Sequence, residues 1–175
     1  MKNVFGLLVS AIFILCAPSV AQAGNKLKGQ RYVYCNVFAA SICFGITQGE
    51  SSRMTIPADF VVYDVALGNG LTAIVYSGRQ PQPLALPPAV GLNEYTVPEG
   101  RVAYQPLTQG GYDFFFRPSA ANLPITHVQF QSVTKGQEEI FTDFMRNIRA
   151  CGAGSSGVAC SESRIFSQAI DQMGL

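Results

Sequence analysis

The sequence predicts an α+β fold: an antiparallel sheet built from hairpins, with a disulfide-pinned C-terminal helical hairpin on one face. Three observations predict it. Apolar and polar residues alternate with period two in several runs between Arg31 and Val133, the pattern of half-buried strands. Glycine-bearing turns separate those runs. After Val133 the apolar spacing becomes helical, and two cysteines bracket a Gly/Ser-rich stretch between the helical segments.

Residues 1–23 read as an export signal. Lys2 is followed by the uncharged apolar run Val4 to Cys16, then by Pro18 and the Ala21-Gln22-Ala23 cleavage site. Cleavage before Gly24 leaves 24–175 as a single exported α+β domain. Lys2 is the only charge removed, so basic and acidic residues become equal in number. A chain without basic excess is a poor match to nucleic acid or to an anionic membrane surface. No second long apolar run follows, so no stable membrane insertion is expected after processing. The predicted location is therefore periplasmic or secreted.

Removal of Cys16 leaves Cys35, Cys43, Cys151 and Cys160, an even set in an oxidising compartment. Four cysteines allow three connectivities. Proximity in sequence favours Cys35–Cys43 and Cys151–Cys160. Neither pair has the C-x-x-C spacing of redox motifs, so both read as structural bridges.

The first mature strand is expected around Arg31 to Val37, with a turn at Phe38 to Ser41. A return strand over Ile42 to Ile46 would set Cys43 across from Cys35. A weak internal repeat follows. Thr55 to Tyr63 resembles Thr96 to Tyr104 at an offset of 41 residues, and Gly70 then falls on Gly111. Each copy reads strand, glycine turn, strand, which predicts a duplicated hairpin over 55–84 and 96–125. Between the copies, Pro81, Pro83, Pro87 and Pro88 exclude helix and central strand and suit an extended connector. Thr126 to Val133 is the last strand, with His127, Gln129 and Gln131 on its wetter face.

Ile140, Phe141, Phe144, Met145 and Ile148 then share one helical face, with acids early and arginines late, as the helix dipole prefers. Ile165, Phe166, Ala169, Ile170 and Met173 form a second stripe, with Ser161 as its expected N-cap. A Cys151–Cys160 bridge across the Gly/Ser-rich loop would pin the two helices together.

No motif carries a strong chemical signal. Gly152 to Gly157 matches G-x-G-x-x-G but follows a helix instead of a strand, the wrong context for a dinucleotide. Ser132-Val133-Thr134-Lys135 matches S-x-x-K without the partner motifs of that enzyme class. His127 is the only histidine and the one weak catalytic candidate; no catalytic set, metal set or cofactor motif accompanies it. Tyr63, Tyr76, Tyr104, Tyr112 and Phe115 are the partner-binding candidates, because tyrosine joins contact area to a polar tip. The function expected is a non-enzymatic envelope binding protein, an inhibitor or immunity-type protein or an accessory subunit. It would recognise another envelope or exported protein. The alternatives are a small hydrolase of envelope material using His127 and a small hydrophobic-ligand carrier.

Overall fold

Alternation becomes strand along most of the chain. The computed structural model describes residues 35–57, 59–79, 91–154 and 157–175. The segment expected to be an export signal and the proline-rich connector lie outside the described residues. The strands are β1 (Val37–Ala39), β2 (Ile42–Phe44), β3 (Ser51–Thr55), β4 (Val61–Ala66), β5 (Thr72–Gly78), β6 (Asn93–Val97), β7 (Gly100–Pro106), β8 (Tyr112–Pro118) and β9 (Ile125–Phe130). Helix α1 (Glu138–Arg146), strands β10 (Arg149–Gly154) and β11 (Gly157–Arg164) and helix α2 (Ser167–Met173) complete the order. The fold is mostly antiparallel β, with a seven-stranded sheet in the order β3-β4-β5-β9-β8-β7-β6 and a four-stranded sheet in the order β1-β2-β10-β11.

Two three-stranded meanders, β3-β4-β5 and β6-β7-β8, lie on either side of β9. Their ladders match at an offset of 40 residues. Arg53 faces Asp64 as Asn93 faces Tyr104, and Ala66 faces Thr72 as Pro106 faces Tyr112. The turns match at the same offset: Gly70 (φ 69°) corresponds to Gly110 (φ 76°), and not to Gly111 as the sequence alignment suggests. The discrepancy of one residue has a physical cause. Both β5 and β8 run antiparallel to β9, so superposing one meander on the other requires rotation about the line of β9, which exchanges the faces of the sheet. A one-residue shift in the inside–outside alternation restores apolar residues to the core. Tyr63 and Tyr104, at the sequence offset of 41, are therefore both buried.

One face of the large sheet carries the core. Val65, Val75, Val102, Phe114, Phe116, Val128 and Phe130 pack with Phe44 of the small sheet and with Phe141, Phe144, Ile148, Phe166 and Ile170 from the helices and their flanks. Edge-to-face contacts join the layers, Phe130 to Phe141 at 4.8 Å and Phe114 to Phe166 at 5.4 Å between ring centroids. Each buried phenylalanine contributes about 1.5–3 kcal/mol.

The C-terminal region corrects the predicted helical hairpin. Both helices form on the core side and touch each other, but the residues between them are the β10–β11 hairpin. Cys151 and Cys160 are cross-strand partners in that hairpin. Pairing of β10 with β2, Arg149 opposite Cys43 and Ala150 opposite Ile42, extends the small sheet and draws the segment out of helical geometry. Ser161 lies in β11, where its hydroxyl donates to Glu99 Oε1, and α2 starts six residues later.

Both expected disulfides form, Cys35–Cys43 and Cys151–Cys160. Cys35 precedes β1, however, and the residue directly across from Cys43 is Phe38. The turn is the two residues Ala40-Ser41, tighter than the expected Phe38 to Ser41. The sulfurs of Cys43, Cys151 and Cys160 lie within 4.8 Å of one another, which sets the two bridges side by side across β2 and β10. Bridged sulfurs are not thiolates, so this cluster is a covalent staple and not a ligand set for metal. No helix of the described residues is long and apolar enough to cross a membrane.

Candidate functional site

Alternation places a second set of side chains on the open face of the large sheet, opposite the core. At its centre are Asp113 of β8, His127 and Gln129 of β9, and Gln105 of β7, adjacent in register. Asp113 Oδ1 accepts from His127 Nε2 and Gln129 Nε2, each at 2.9 Å, and Oδ2 accepts from Gln105 Nε2 at 3.2 Å. Because Asp113 is the acceptor, the network assigns the ring proton to Nε2. His127 and Gln129 were expected on a wet face, but they are buried, as are Asp113 and Gln105. Burial alone pushes the Asp113 carboxyl up, yet the hydrogen bonds from His127, Gln129 and Gln105 outweigh it and hold the group below the usual carboxylate range.

Phe115 covers the histidine. Its ring lies parallel to that of His127, at 4.3 Å between centroids and 9° between planes. The two residues are direct cross-strand partners, which fixes the stack. His127 has 1% of its surface exposed. Tyr76 is the cross-strand partner of His127 on β5, while the hydroxyls of the next pair, Ser77 and Thr126, lie on the other face, where Thr126 Oγ1 is 2.7 Å from Ser41 Oγ and 3.4 Å from Ser77 Oγ.

Beside the covered histidine, the same face opens into a cleft of about 910 Å³. Arg79 follows β5, Arg101 sits near the start of β7 and Arg117 near the end of β8, so all three reach the same end of the sheet. Leu92, Phe115 and Ile125 supply apolar walls. Arg101 and Arg117 are direct cross-strand partners. Arg101 is paired with Glu94 at 2.7 Å, on the exposed rim.

The candidate aromatic residues divide between the faces. Tyr63 is buried on the core side, and its hydroxyl donates to Phe38 O at 2.7 Å. Tyr104 is buried on the same side and donates to Gln172 Oε1 at 2.7 Å. Tyr112 is half-buried and stacks on Phe141 at 4.9 Å. These three serve the packing of sheet on helices. Tyr76 lies on the open face and packs on Phe60 at 4.9 Å, and Phe115 lies between His127 and the cleft. Sequence reasoning missed the arginines. The signal available was that Arg101 and Arg117 flank the same turn of a predicted hairpin, at positions that register could bring face to face.

No family model, curated protein or solved structure matches this chain.

Proposed function

We propose that this chain is a non-enzymatic exported binding protein, an inhibitor or an accessory subunit of an envelope complex. It recognises another protein through the open face of the seven-stranded sheet. The observation that carries the reading is the disposition of His127. The only histidine of the chain spends Nε2 on Asp113 and lies under Phe115, while the face beside it opens to solvent. A general base needs reach to a proton on substrate or nucleophile. His127 instead acts with Asp113, Gln105 and Gln129 as a rigid, internally satisfied plate beneath a binding surface.

The carrier reading has less support. The space between the large sheet and the helices is filled by Phe44, Phe114, Phe130, Phe141, Phe144 and Phe166, all fully buried.

The test is affinity capture from native envelope extract with the processed, oxidised protein, read by mass spectrometry. Three versions are compared: wild type, Ala103→Trp to fill the cleft, and His127→Gln to keep a donor to Asp113. The expected result is one stoichiometric protein held by wild type and His127→Gln and lost with Ala103→Trp, with circular dichroism unchanged. Absence of any partner would overturn the reading. So would hydrolysis of envelope material that disappears with His127→Gln.

A further inference from the structure

We infer that the cleft formed by Arg79, Arg101 and Arg117 is a carboxylate-binding site, and that its ligand is an acidic, partly apolar segment of the protein partner. The inference rests on the recognition reading above. Three arginines line one cleft, against the single carboxylate of Glu94, which is engaged by Arg101. Arg79 and Arg117 make no ion pair among the described residues, and every Asp and Glu of the chain lies within them. The residues outside the description therefore hold no carboxylate that could neutralise the two arginines.

The placement works against the free protein. Like charges set directly opposite on neighbouring strands repel, and Arg101 faces Arg117 in this way. A ligand carboxylate between the two forks would turn that repulsion into paired, charge-assisted hydrogen bonds. Adjacent strands are about 4.8 Å apart, so one carboxylate can reach both residues. The apolar walls decide which anion fits. Leu92, Phe115 and Ile125 stand among the arginines, and the methylenes and neighbouring apolar side chains of a peptide would cover them. An inorganic polyanion has nothing to place there.

The probe is a fluorescein-labelled peptide of alternating Glu and Leu, read by fluorescence anisotropy. A peptide of alternating Gln and Leu is the control, and short-chain polyphosphate the competitor. The Glu peptide is expected to bind about tenfold or more tighter than the Gln peptide, and more weakly as salt rises. Arg117→Gln and Arg79→Gln should each weaken binding by about five- to tenfold. Arg53→Gln, on β3 at the far edge of the sheet, should leave it unchanged. Equal affinity for the two peptides, equal loss with Arg53→Gln, or stronger binding of polyphosphate than of the Glu peptide would overturn the inference. Capture of a partner that survives Arg117→Gln but not Ala103→Trp would overturn it too, while leaving the recognition reading intact. Peptide binding through Arg117 with no protein captured would instead overturn the recognition reading.

Discussion

Arg101 and Arg117 face each other across β7 and β8, two like charges in direct register on the open face of the sheet. Only Arg101 has a carboxylate partner, Glu94 on β6. The pair therefore separates a stability effect from a binding effect.

Arg117→Gln should stabilise the free protein. Removing one member of a like-charged cross-strand pair relieves about 0.2–1 kcal/mol, and no ion pair of Arg117 is lost. For a chain of this size that corresponds to a rise in Tm of about 0.4–4 °C. Calorimetry at low salt reads it. The gain should shrink as salt is added, since the effect is electrostatic. A lowered Tm would contradict the account.

Asp113 makes an acid-side prediction. Its folded carboxyl lies below the unfolded value, so its contribution is present above the unfolded pKa of about 4 and is lost as pH falls through the lowered folded pKa. Asp113→Asn removes the charge and leaves the donors of His127, Gln105 and Gln129 competing for one carbonyl. It should cost about 1–3 kcal/mol at neutral pH and flatten the acid limb of the stability profile. Denaturant unfolding at a series of pH values checks both; a variant with wild-type acid sensitivity would sink the assignment.

Neighbouring phenylalanines should behave differently. Phe114 is fully buried between the sheet and α2, and Phe114→Ala should cost about 3–5 kcal/mol. Phe115 is half-buried on the opposite face. Phe115→Ala should cost less, losing the stack on His127, of about 0.5–1.5 kcal/mol, and part of its burial. Urea midpoints of the two variants give the comparison. Equal losses would mean that the open face is a second core.

The tyrosines predict an alkaline limit. Burial raises the hydroxyls of Tyr63, Tyr95, Tyr104 and Tyr112, most strongly Tyr95, which donates to Ile165 O. A folded pKa above the unfolded value means stability that is complete below about pH 10 and is lost as pH rises through the folded value. In an ultraviolet titration, a fraction of the seven tyrosines should stay protonated past pH 10 and then ionise together with unfolding. Independent titration of all seven near the ordinary value would refute this.

Local pattern was enough for much of the fold. Period-two alternation located the paired strands on either side of Gly70 and Gly110, and helical spacing located the buried side of α1. Proximity of the cysteines selected the pairing that forms. These features depend on neighbours a few residues apart, and a chain carries that information in its order. The β10–β11 hairpin was not legible, because β2 lies about a hundred residues upstream and supplies the pairing that turns Arg149 to Gly154 into strand.

The site depended on tertiary structure throughout. His127 looked like a residue on a wet strand face until Phe115 was set upon it and Asp113 beside it by cross-strand register. The tyrosines looked equivalent until the sheet assigned Tyr63 and Tyr104 to the core and Tyr76 to the open face. The sequence by itself determined strand and helix periods, the cysteine pairs and the count of charges. Which face each strand buries, and which charges meet, was decided by the registers of the seven-stranded sheet, with β9 between the two meanders. Register at that junction turns each strand's alternation inward or outward as a unit, and a slip of one residue would exchange core and surface.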